Sequence, residues 1–210
     1  MDMKVLMING SAHENGCTAT ALKEMARVLR GEGIESEIVC LGGDPVRDCT
    51  GCGACSRLNG RCVHDDDMVN ALIDKARACE GFVFGSPVYY AHPSGRLLSV
   101  LDRMFYAASD AFRGKVGAAV VSARRAGTTA SLDAINKYFG ISGMPVAGST
   151  YWGMVHGGRA EDVLRDEEGL QTMRNLARNM AYMMKSAALA RENGLTAPDM
   201  EKGNRTNFIR

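Results

Sequence analysis

The chain has 210 residues, long enough for one substantial core, and its 46% hydrophobic and 23% charged content is that of an ordinary globular protein. A net charge of +1 gives no electrostatic reason to expect nucleic acid or an anionic membrane as a partner. No apolar run approaches the roughly 20 residues of a membrane span, and the opening MDMKVLMING runs straight into strand-like sequence without a signal-peptide layout. A cytoplasmic location with reduced thiols is the expectation.

KVLMI, Lys4 to Ile8, reads as a buried strand, followed by a helix with Leu22, Met25, Ala26 and Leu29 at helical spacing. ESEIVCL, Glu35 to Leu41, is a second strand and leads into a cysteine-rich loop. Asp65, Asp66 and Asp67 offer an N-cap to a helix bearing Val69, Leu72, Ile73 and Ala76. GFVFGS, Gly81 to Ser86, is a third strand, and Leu97, Leu98, Leu101, Met104 and Phe105 mark the helix after it, with Ser94 as its cap. VGAAVVSA, Val116 to Ala123, is a fourth strand; Leu132, Ile135 and Phe139 define the next helix. MPVAGSTYW, Met144 to Trp152, is predicted as the fifth strand, before a long helix carrying Leu170, Met173, Leu176, Ala177 and Met180.

Five strands alternating with five helices predict an α/β fold, a doubly wound parallel sheet covered by helices on both faces. Right-handed crossovers leave few topologies, and the flavodoxin-like order 2-1-3-4-5 fits the count. The expected organisation is one domain over residues 1–190, with the cysteine-rich loop at 49–62 and a polar tail at 191–210 broken by Gly, Pro and Asn.

Such sheets bind ligands beyond the carboxyl ends of their strands, near the switch point between strands one and three. NGSAHENGCT, Asn9 to Thr18, joins a strand to a helix N-terminus, where backbone N–H groups and the helix dipole favour an anion. It is neither a Walker loop nor G-x-G-x-x-G. Ser11, Asn15 and Thr18 suit the several oxygens of one phosphate monoester; the plain alternative is a strand-to-helix turn. GSPVYYAHPSG, Gly85 to Gly95, has Pro87 at the strand exit. Val88, Tyr89 and Tyr90 then offer N–H groups and aromatic faces to a flat ring such as a flavin; the plain alternative is a pair of surface tyrosines beside a turn.

CTGCGACSRLNGRC, Cys49 to Cys62, holds four of the seven cysteines in the spacing C-x2-C-x2-C-x6-C. A cytosolic location and the odd total argue against disulfides. Zinc sites of four cysteines usually set two C-x-x-C knuckles about 15–20 residues apart, whereas the last gap here is six residues. The compact first three match a [4Fe–4S] run, although the Cys-Pro ending of bacterial ferredoxins is missing. A cluster on Cys49, Cys52, Cys55 and Cys62, a zinc ion, or a relic without metal are the readings left open. Cys40 and Cys79 read as small buried hydrophobes.

NGSAHENGCTATAL and GSPVYYAHPSGRLLSVLDR together resemble the NADPH-dependent FMN reductase-like branch of the flavodoxin superfamily. With CTGCGACSRLNGRCVHDDDM between them, the chain looks most like the iron–sulfur flavoproteins of that branch, over roughly residues 3 to 185. The resemblance implies that Ser11, His13, Asn15, Cys17 and Thr18 surround an FMN phosphate. It further implies that Pro87, Val88, Tyr89 and Tyr90 face the isoalloxazine, and that Ala123, Arg124 and Gly127 close the other side. His13 and Cys17 depart from the basic residue and the Asn common among such relatives.

The function this implies is an FMN-dependent oxidoreductase with a [4Fe–4S] cluster, moving electrons between a two-electron and a one-electron partner. NAD(P)H, ferredoxin or a quinone are the expected redox partners, and no catalytic side chain is assigned. The alternatives are a cluster-free NAD(P)H-dependent FMN or quinone reductase, and a redox sensor or electron carrier without substrate turnover. A homo-oligomer, at least a dimer, is expected, and Met173, Met180, Met183 and Met184 of the last helix are adaptable residues that suit an interface as well as a core. The cysteine loop leaves strand two at the edge that holds both flavin loops, which predicts cluster and flavin on one face.

Overall fold

Alternation within the strands builds the two cores. The structure is a computed structural model and describes residues 3–201, 203, 204 and 206. In β1 (Lys4–Asn9) the side chains of Leu6 and Ile8 enter one core while Val5 and Met7 enter the other. The same division runs through β3 (Gly81–Tyr89), where Phe82 and Phe84 oppose Val83, and β5 (Val116–Ala123), where Ala119 and Val121 oppose Ala118 and Val120. Strands buried on both faces are the mark of a parallel sheet between helical layers.

The parallel ladder runs β2 (Glu35–Cys40), β1, β3, β5, β6 (Met154–His156), which is the predicted order 2-1-3-4-5. A short β4 (His92–Pro93) folds back antiparallel on the end of β3. β1 ends opposite Gly85, so Pro87 lies beyond the two-sided part of the sheet, where its missing N–H leaves no β1 acceptor unpaired. α2 (Val69–Arg77), α3 (Gly95–Ala107) and α4 (Thr128–Ile141) cover one face; α1 (Cys17–Gly31) and, after the single turn of α5 (Ala160–Val163), α6 (Glu167–Glu192) cover the other.

The fifth strand is not Met144–Trp152. That segment touches the ladder only at Val146, beside Gly117, and then leaves it because α6 competes for its polar groups. Asn179 Nδ2 donates to the Gly148 carbonyl at 2.8 Å and Ser149 Oγ to the Thr172 carbonyl at 2.7 Å. The methionines Met173, Met180 and Met184 are buried against the sheet, and Met183 packs on the same core, so they fill this chain's own interior. Cys40 is only half-buried; its Sγ lies behind the first loop, 3.6 Å from the Ser11 carbonyl. The last helix runs to Glu192.

Candidate functional site

Beyond the carboxyl ends of β1, β3, β5 and β6 the chain encloses a cleft of about 330 Å3. Asn9, buried at the end of β1, shapes the first wall. Its Oδ1 accepts the Ser11 N–H at 3.1 Å and its Nδ2 donates to the His13 carbonyl at 3.4 Å. Ser11 Oγ then accepts the His13 N–H at 3.0 Å. This turn delivers the chain to α1, whose N-cap is Gly16 and which no side chain caps. First-turn N–H groups have no partner within a helix. Gly16, Cys17 and Thr18 line the cleft, so these donors and the positive end of the dipole face it.

Thr18 is buried and shares a hydrogen bond with the Ser122 hydroxyl at 2.8 Å, joining the first turn of α1 to the end of β5. Burial pushes the Cys17 thiol pKa up. It stays protonated and donates to the Gly157 carbonyl at 3.5 Å, placing no negative charge against an incoming anion. Gly85 lets α1 lie down on β3: a Cβ there would come within 2.9 Å of Thr18 and 3.0 Å of Leu22. Opposite, Pro87, Val88 and Tyr89 form an apolar wall, and Tyr89 Oη accepts the Ala12 N–H at 3.4 Å across the mouth. The arrangement takes a ligand with an anionic head and a flat apolar body.

Of the residues expected at this site, the structure brings Ser11, His13, Cys17, Thr18, Pro87, Val88, Tyr89, Ala123 and Arg124 into one lining. Asn15, Tyr90 and Gly127 lie outside it. The Asn15 amide oxygen accepts from Lys23 Nζ at 2.7 Å. Tyr90 sits in a left-handed turn, φ 58°, and stands fully in solvent. Gly127, φ +91°, begins α4 directly behind Val88, where a Cβ would meet Val88 Cγ1 at 2.8 Å. Asn9, Ser122, Gly157 and Gly158 join the site unannounced by the sequence reading. The available signals were polar Asn9 and Ser122 at the ends of apolar strands and the glycine pair after the last strand.

The four cysteines line a second, smaller pocket of about 100 Å3 with Val63, His64, Arg103 and Tyr106. α3 is its spine. Arg96, Ser99 and Arg103 recur at helical spacing on one face and each seizes part of the long connection after β2. Arg96 donates to the carbonyls of Gly42, Gly43 and Asp44, and Ser99 to Asp48. Arg103 pairs with Asp67 and donates to the carbonyls of Arg47 and His64. Burial opposes the Arg103 charge, but its hydrogen bonds to Asp67 and Cys62 outweigh that and hold its pKa above the usual arginine value. Asp67, expected as a helix cap, accepts the Val69 N–H at 3.0 Å while serving chiefly as the partner of Arg103.

Within the pocket, Gly51 (φ +63°) and Gly53 (φ +68°) make the left-handed turns that wrap the chain around Cys52. The Ala54 N–H and then the Thr50 hydroxyl lower the Cys52 thiol pKa, as suits a thiolate ligand. His64 Nε2 is buried with no hydrogen-bond partner. Among the described residues, no three His, Cys, Asp or Glu side chains converge closely enough to hold a single metal ion. The donor set of four thiols, one backed by a buried cation, fits an iron–sulfur group.

Cleft and cysteine pocket share no lining residue. The loop leaves β2 at the sheet edge that carries the cleft, but α3 draws it down to its last turns. At about 1.5 Å per residue, Arg103 and Tyr106 lie roughly 12 and 17 Å along the helix from Gly95.

The model of the NADPH-dependent FMN reductase family matches residues 3–159. An iron–sulfur flavoprotein of Methanocaldococcus jannaschii is 32% identical over 191 residues, covering 87% of this chain and 98% of that protein. An iron–sulfur flavoprotein of Methanosarcina thermophila is 29% identical over 187 residues, covering 87% and 95%. A solved flavodoxin from the domain Archaea superposes with a TM-score of 0.58 at 15% identity, over 87% of this chain and 99% of that one; this likeness is one of fold. Among the described residues no helix is long and apolar enough to cross a membrane.

Proposed function

The chain belongs to the NADPH-dependent FMN reductase family, and from that premise we propose that it is an FMN-dependent oxidoreductase coupling its flavin to a [4Fe–4S] cluster. The observation that carries this reading is the presence in one chain of two separate pockets, one with an anion-binding helix end and a flat slot, the other lined by four thiols. The names of the iron–sulfur flavoproteins it resembles support the same pairing. When bound, FMN would supply two-electron chemistry and the cluster one-electron chemistry, and the protein orients and tunes both.

In this reading the N–H groups at the start of α1, with Ser11, Thr18 and His13, hold the phosphate. Pro87, Val88 and Tyr89 face the ring, with Ala123 and Arg124 on the other side, and Gly127 acts through Val88. Asn15 and Tyr90, predicted at the site, play no direct part. Arg124, exposed at the mouth, is available to a phosphate of NAD(P)H. Cys49, Cys52, Cys55 and Cys62 hold the cluster, and ferredoxin or a quinone complete the set of redox partners. A second copy of the chain would cover the open side of the flavin, making the protein at least a dimer; sedimentation of a flavin-loaded monomer at micromolar concentration would contradict that part.

The test is anaerobic purification of the protein and a Cys52→Ala variant, each assayed for flavin, iron, sulfide and zinc. FMN with iron and sulfide in wild type, and loss of iron and sulfide alone in the variant, are the expected results. FAD as the released flavin would overturn the cleft assignment, and stoichiometric zinc would overturn the cluster. Flavin without any metal would favour a cluster-free NAD(P)H-dependent reductase. Reduction by NADPH, NADH and reduced ferredoxin then separates turnover on a substrate from simple electron carriage.

A further inference from the structure

One of the four thiols is built into the protein far more firmly than the others. Arg103 has a fully buried side chain with all five guanidinium N–H groups engaged. Nη1 donates to the Arg47 carbonyl at 3.2 Å and to Asp67; Nη2 donates to the His64 carbonyl at 2.8 Å and to Asp67 Oδ1 at 3.1 Å. These bonds fix the planar fork and leave Nε donating to Cys62 Sγ at 3.3 Å. From α2, buried Asn70 grips the same cysteine: Oδ1 accepts its N–H at 2.9 Å and Nδ2 donates to its carbonyl at 3.0 Å. Cys55 Sγ by contrast reaches only the Tyr106 carbonyl, at 3.7 Å, and Cys52 is exposed.

We propose that Arg103 sets the reduction potential of the group held at Cys62, through a hydrogen bond from a buried cation to that ligand sulfur. The proposal rests on the reading of the cysteine pocket as a cluster site. Reduction adds one electron from an external reductant and breaks no bond; the added negative charge spreads onto the ligand sulfurs. A donor carried by a buried side chain and aimed at sulfur stabilises that charge more than it would in water. Arg103 therefore favours the reduced form. Asp67 offsets part of its charge but lies on the Nη side, so it does not replace the directed N–H at the sulfur. Arg103 is a positioning residue in this scheme, acting on the cluster through Cys62.

The experiment is an EPR-monitored redox titration of anaerobically reconstituted full-length protein, after iron and sulfide analysis, for wild type, Arg103→Lys and Asp67→Asn. Arg103→Lys retains a cation without the planar fork, and the reduced-to-oxidised ratio at fixed potential should fall about tenfold, about 59 mV for a one-electron couple. Asp67→Asn removes a nearby negative charge and keeps the guanidinium, so the potential should rise. Shifts of opposite sign support the proposal; an unmoved potential in loaded Arg103→Lys, or both shifts in the same direction, overturns it. Should Arg103→Lys fail to fold or to hold a cluster, Asp67→Asn decides alone: a rise supports, and no change or a fall overturns. A wild type without iron and sulfide overturns the cluster reading together with this one, whereas a loaded cluster with an unmoved potential overturns this one alone.

Discussion

The cleft and the cysteine pocket are made in opposite ways. The cleft is assembled from chain that continues directly out of the strands, and its working groups are backbone N–H groups, small side chains and glycines. Its precision comes from the sheet, whose register fixes where each loop begins. The pocket hangs from a long connection with little regular structure, and three side chains of α3 hold that connection in place. One region is rigid because of topology, the other because of a few long-range polar contacts. Damage should therefore be separable: each site can be lost while the other stays loaded.

The largest effect is expected at the ion pair beneath the pocket. Asp67→Ala leaves Arg103 buried without its counter-charge, which typically costs about 3–5 kcal/mol. Urea unfolding should show that loss, and iron and sulfide should fall while FMN stoichiometry is kept. The mirror experiment is Gly85→Ala. A Cβ there must displace Thr18 or Leu22, an overpacking cost of about 1–3 kcal/mol. Flavin retention should fall and the absorbance of the cluster should persist. If either substitution strips both cofactors equally, the separation of the two regions is wrong.

That same contrast governs what the sequence disclosed. Apolar runs such as KVLMI and GFVFGS and the helical spacing of Leu22, Met25 and Leu29 announce the sheet and its helices, because local periodicity reports burial directly. The cleft was legible wherever a loop is continuous with such a strand. The fifth strand was misplaced because MPVAGSTYW has strand-like composition, whereas contacts from α6 to Gly148 and Ser149 decide its course. Tyr90 was assigned to the ring by proximity in sequence, but a left-handed turn rotates it into solvent. Arg103 went unread, since nothing local says that an arginine will be buried beneath a loop about 40 residues upstream. A charged residue on the apolar stripe of Val100 and Met104 was the one available signal.

A smaller effect sharpens the account of the cleft. Thr18→Val keeps the shape of the side chain but leaves the buried Ser122 hydroxyl without its partner. About 1 kcal/mol of stability should be lost, visible as a lower urea midpoint. FMN affinity should weaken roughly tenfold, about 1.4 kcal/mol, if the Thr18 hydroxyl also reaches the phosphate. Equilibrium titration of apoprotein with FMN separates the two. A stability loss with unchanged affinity would assign Thr18 to the scaffold alone.

The smallest expected effect lies behind the cleft, where α1 is clipped to α6. Glu24, largely buried on α1, accepts from Arg27 at 2.8 Å and from Arg174 of α6 at 3.0 Å. The Arg27 hydrogen bond first, and that of Arg174 with it, holds the Glu24 carboxyl below its ordinary value against the opposing cost of burial. Its folded pKa thus lies below its unfolded one, and the stabilisation is fully present above the unfolded glutamate pKa, about 4.3. It fades as pH falls through the folded pKa, because the unfolded chain takes up the proton first. Glu24→Gln should lower stability at neutral pH by roughly 0.5–1 kcal/mol, the scale of a partly exposed pair. It should also flatten the decline of stability below about pH 4. Since the start of α1 lines the cleft, FMN retention should become less acid-sensitive along with it, while the cysteine pocket, held by α3, should respond to acid as in the wild type. Stability curves of wild type and variant that stay parallel from neutral pH down into the acid range would show that the clip contributes nothing through its charge.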